Sequence, residues 1–84
     1  MKKIAVISAI LEHPSKTQAQ FNEIISEYSN IVRGRMGIPF EAEGIAAICI
    51  TVVAPLDKIN SLTGKLGSLP DVMVKTAISK KEIA

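Results

Sequence analysis

Three kinds of residue are scarce in this sequence: it has one cysteine, one histidine and three aromatic side chains, Phe21, Tyr28 and Phe40. Cys49 alone cannot close an internal disulfide, and its place between Ile48 and Ile50 suggests a small buried hydrophobe in a reduced, cytoplasmic setting. His13 and Cys49 fall on separate elements, and transition-metal sites want three or four nitrogen, sulfur or oxygen ligands, so no metal and no cofactor is expected. An excess of one charge is missing as well. Ten basic residues against eight acidic ones give +2, too little for a nucleic-acid footprint. No run approaches the roughly 18 apolar residues of a membrane span. The opening Met1-Lys2-Lys3 and the apolar Ile4 to Leu11 are no signal peptide either, because the run is short, stops at Glu12-His13-Pro14 and has no small-residue cleavage site.

What is present is aliphatic and periodic. Ile4 to Leu11 is apolar at both parities, the pattern of a central strand covered on both faces. Ser15 followed by Gln18 matches a capping box, and Phe21, Ile24, Ile25 and Tyr28 recur at helical spacing, which predicts a helix over about 16–29. Residues 31–40 read as a second strand, with Val32, Gly34, Met36 and Ile38 on one face and Arg33, Arg35 and Gly37 on the other. Pro39 marks it as an edge. Gly44 turns the chain back into a third strand over 45–53. Pro55 suits a helical first turn, Leu56, Ile59, Leu62 and Leu66 form an apolar stripe, and Gly67 stops that helix. The alternation from Val72 to Ile78 is a half-buried fourth strand.

The order β-α-β-β-α-β predicts one α+β domain over residues 1–79, a ferredoxin-like sandwich with an antiparallel sheet ordered 4-1-3-2 and both helices on one face. Residues 80–84 read as a frayed, solvated tail. A domain this small buries only about 60–65% of its unfolded surface, and both central strands are apolar on both faces while helices cover only one. The chain is therefore expected to pair with itself, as a homodimer or homotetramer.

The candidate ligand-binding residues are Arg33, Gly34, Arg35 and Gly37. Strand alternation places both guanidinium groups on one face, where their forked donors suit a small anionic ligand, and the two glycines clear space for close approach. The competing reading of the arginines is a solvated edge or an intersubunit ion pair with Glu41 or Glu43. Gly64-Lys65 lacks the rest of a phosphate loop, and no base is expected beside Cys49, so no catalytic residues are assigned.

The strings Arg33-Gly34-Arg35-Met36-Gly37-Ile38-Pro39 and Leu62-Thr63-Gly64-Lys65-Leu66-Gly67, followed by Leu69-Pro70-Asp71-Val72 and Val74-Lys75-Thr76, resemble those of the iron-only hydrogenase system regulator family. These are ACT-like domains, similar in fold to the regulatory domain of the nickel-responsive repressor. The resemblance runs from about Lys3 to Ser79 and implies a non-catalytic, oligomeric regulatory or small-molecule-sensing domain. The loop Leu11-Glu12-His13-Pro14-Ser15 lacks the glycine typical of amino-acid-binding ACT domains, so amino-acid binding is not implied. The first strand begins within three residues, which leaves no room for a DNA-binding arm. The alternative is a small oligomeric ferredoxin-like enzyme with an intersubunit pocket, which requires His13, Tyr28 or the arginines to gather in one cavity.

Overall fold

β1 spans Lys3–Leu11 and is the inner strand on which the rest is built. In the computed structural model, which describes residues 1–84, it is followed by α1 (Pro14–Glu27), a short 3-10 turn (Ser29–Ile31), β2 (Val32–Phe40), β3 (Ile45–Ala54), α2 (Leu56–Gly67) and β4 (Val72–Ile78). All strand pairs are antiparallel and the order is β2-β3-β1-β4, the expected ferredoxin-like arrangement read from the opposite edge. No helix is long and apolar enough to cross a membrane.

The core lies between the helices and one face of the sheet. Ala5, Ile7, Ala9 and Leu11 of β1 and Ala46, Ile48, Ile50, Val52 and Ala54 of β3 point into it, and α1 adds Phe21 and Ile25. From α2 come Ile59, Leu62 and Leu66, one residue per turn, as a buried helix stripe requires. Leu56 does not join that stripe and stays exposed, because the helix begins there and Pro55 is its extended N-cap.

Several local expectations change. α1 starts at Pro14, not after Ser15, and no side chain caps it. Proline suits the first helical position because the N–H it lacks would have no helical acceptor, and its ring fixes φ near the helical value. Thr17 is buried and donates from its hydroxyl to the His13 carbonyl, 3.3 Å away. The tail is not free. Lys2 and Ile83 exchange two backbone hydrogen bonds of 2.9 and 2.8 Å, and Lys3 Nζ donates to the carbonyls of Ser79 and Lys80. The turn between β2 and β3 places Gly44 at φ 68°, and Asp71 adopts φ 58° just before β4.

The main departure is in β2. Val32 pairs with Val52, yet Gly34 pairs with Thr51, so Arg33 is an extra residue opposite the step between them. Such a bulge breaks strict alternation. Val32 consequently packs with the core, whereas Gly34, Met36 and Ile38 lie on the other side of the sheet.

Candidate functional site: an uncovered sheet face and the cleft behind its edge strand

Neither helix covers the second face of the sheet. Register fixes its rows from edge to edge: Ile38, Ala47, Ile10 and Met73 in one, and Met36, Cys49, Ser8 and Lys75 in the next. A third row holds Gly34, Thr51, Val6 and Ala77. Ile4 with Val53 and Phe40 with Ile45 extend the surface at its two ends. Met36 is 60% exposed, Met73 54% and Ile38 48%, with Phe40, Ile10, Val6 and Ile4 at 40% or more. Large apolar side chains in this number, side by side, are unusual on the surface of a lone domain. Lys75, on edge strand β4, is the single charged side chain among these positions.

Cys49 belongs to this surface. It was expected in the core, but it opposes Met36 and Ser8 on the open face and is exposed, with its sulfur 4.0 Å from the Ser8 hydroxyl. In a run apolar at both parities, composition does not say which parity the helices cover.

Behind the edge strand, on the helix side, β2 and the β2–β3 turn reach past the start of α1 and leave a cleft of about 460 Å³. Pro14, Ser15 and Gln18 of α1 form one wall, and Arg35, Gly37 and Glu41 belong to the other. Arg35 opposes Ile50 in the sheet and donates from Nη2 to Asn22 Oδ1 of α1, which ties the strand to the helix and holds the guanidinium at the cleft. Gln18 is one α1 turn before Asn22, so the polar side of the helix supplies both groups.

The four sequence-derived candidates do not form one group. Arg35 and Gly37 line the cleft, Gly34 sits on the open face with no atom within 4 Å of the place a Cβ would occupy, and Arg33 lines a second depression. The bulge is the reason: it rotates Arg33 away from the alternation that Arg35 follows. His13 and Tyr28 line neither depression. His13 Nε2 lies 3.7 Å from Asp71 Oδ2 at the surface. Tyr28 is buried between the helices, its hydroxyl 2.8 Å from that of Ser61, with Lys65 Nζ 5.2 Å from the ring centre. The Ser61 hydrogen bond lowers the Tyr28 pKa, burial opposes that shift, and Lys65 adds to it. Nowhere do three or more His, Cys, Asp or Glu side chains gather as metal ligands would. Sequence reasoning missed Ser15 and Gln18, which it read only as a helix cap.

Residues 3–76 match the family described as "TM1266-like: Iron-only hydrogenase system regulator, putative". No curated protein matches. Among solved structures, one described as "The structure of uncharacterized protein TM1266 from Thermotoga maritima" is similar at 31% identity and a TM-score of 0.90. The match covers 95% of this chain and all of the other. With the family match running from the first strand into the last, the chain belongs to the TM1266-like family.

Proposed function

We propose that this protein is a non-catalytic, ACT-like regulatory domain that works as a homo-oligomer, pairing through the helix-free face of its sheet and responding to a small anion held in the cleft behind β2. The observation that carries this reading is the uncovered apolar face. Four strands about 4.8 Å apart and about eight residues long make one face of roughly 500 Å², so two stacked faces bring together about 1,000 Å², the size at which specific interfaces begin. A second copy fits best, because Lys75 is the only charge to accommodate and it lies at an edge.

β2 links cleft and face. Arg35 and Gly37 border the cleft while Met36, between them, belongs to the open face, and Ile38 borders both. An anion drawing on the remaining donors of Arg35 would fix the strand that presents Met36 and Ile38, and binding that favours one arrangement of β2 shifts assembly by mass action. The family match to a hydrogenase system regulator agrees with such a role.

Sedimentation at micromolar concentration tests the reading. The wild type should run at two or more times the 9.0 kDa chain mass, and Ile10→Asp and Met36→Asp, both at exposed positions, should run as folded monomers. A wild-type mass of one chain overturns it. With succinate as the probe anion, the melting temperature of the wild type should rise while that of Arg35→Ala does not.

A further inference from the structure

At the opposite end of β2 from the turn, Lys2, Arg33 and Lys58 line one depression of about 300 Å³ together with Asn30. They come from three separate parts of the chain: the start before β1, the bulge of β2 and the first turn of α2. No carboxylate lines the depression, and Asp57, the acid of the α2 first turn, is not part of its wall. The two ion pairs in the molecule are His13 with Asp71 and Lys65 with Glu27, so all three of these cations lack an acidic partner. None of their side chains donates a hydrogen bond to protein either, unlike Arg35 and Lys3.

Three like charges around one small concavity repel one another, and an anion placed among them removes that cost. The backbone under two of them is fixed: Lys2 is pinned by its two hydrogen bonds to Ile83, and Arg33 sits at the bulge. Lys58 Nζ stands 5.9 Å from the centre of the Tyr28 ring. We infer that this depression is a binding site for the phosphoryl group of a small phosphomonoester. The guanidinium of Arg33 offers a fork that matches two phosphate oxygens, the lysines supply compact charges, and the Asn30 amide adds a neutral donor. The rest of the wall is apolar, with Ile31 and Val53, which suits the carbon skeleton of the ester. A volume of about 300 Å³ is at the small end of ligand sites and accommodates the phosphorylated end of a metabolite. The site is separate from the Arg35 cleft and stands independently of it.

Amide chemical-shift titration of the full chain tests the inference, with inorganic phosphate, methyl phosphate and acetate as probes. Phosphate and methyl phosphate should give saturable shifts confined to residues around Lys2, 30–34 and 53–58, with methyl phosphate at least as tight and acetate much weaker. Arg33→Met and Lys58→Met should each weaken phosphate binding by roughly tenfold, the loss of one charge-assisted contact, and Arg33→Lys by a smaller factor. Lys16→Met, on α1, should leave it unchanged. All are exposed positions, and the unliganded spectrum verifies the fold of each variant. Shifts scattered over all lysines without saturation, equal binding of acetate, or insensitivity to both Arg33→Met and Lys58→Met overturns the inference. So does saturable binding at these residues by a single-stranded oligonucleotide with none by inorganic phosphate or methyl phosphate.

Discussion

The hydroxyls of Tyr28 and Ser61 lie 2.8 Å apart and join the end of α1 to the middle of α2. Tyr28 is the only tyrosine and the chain has no tryptophan, so its ionisation is visible alone in the ultraviolet spectrum. Hydrogen bonding by Ser61 favours the phenolate, and Lys65 favours it further. A titration at 295 nm should therefore show a midpoint below the ordinary value near 10, and Ser61→Ala should raise it. Because the folded-state pKa is lowered, the stability this group contributes is absent at neutral pH. It appears as pH rises through the folded pKa and is complete above the unfolded one. A midpoint unmoved by Ser61→Ala would show that the hydroxyl contact does not govern the ionisation.

The two parities of β1 should respond oppositely to charge. Ile7→Glu puts a carboxylate into the core and should abolish folding, as judged by circular dichroism. Val6→Glu, one residue away and facing the open side, should preserve the helical signal and lose only self-association. Equal damage from both would mean that the open face is needed for the fold itself.

Cys49 reports on the same surface. In Met36→Asp, expected to be monomeric, the thiol is exposed and should react with a maleimide reagent within the time of ordinary labelling. In the wild-type assembly it should be protected at least severalfold. Labelling at equal rates in both would move the interface elsewhere.

Gly44 carries the β2–β3 turn at φ 68°, with open space where a Cβ would stand. Gly44→Ala therefore meets no clash, and its cost is that of the left-handed backbone, about 1 kcal/mol, which in a domain of this size lowers Tm by roughly 4–8 °C. An unchanged Tm would show that the turn relaxes to another geometry.

Much of this was written in local patterns. The apolar positions Ile59, Leu62 and Leu66, the Pro39 edge, the turn at Gly44 and the order of the elements specify a ferredoxin-like sheet with two helices, because periodicity and turn chemistry act within a few residues. The existence of a second apolar face was equally legible, since Ile4, Val6 and Ile10 have no other use. Three things needed the tertiary structure. The parity that the helices cover put Cys49 outside, because a run apolar at both parities is symmetric until a helix packs on one side. The bulge at Arg33 separated it from Arg35, because a single extra residue depends on how β3 pairs and not on the composition of β2. The meeting of Lys2, Arg33 and Lys58 lay beyond any motif, since residues so far apart in sequence become neighbours only through strand pairing and helix return.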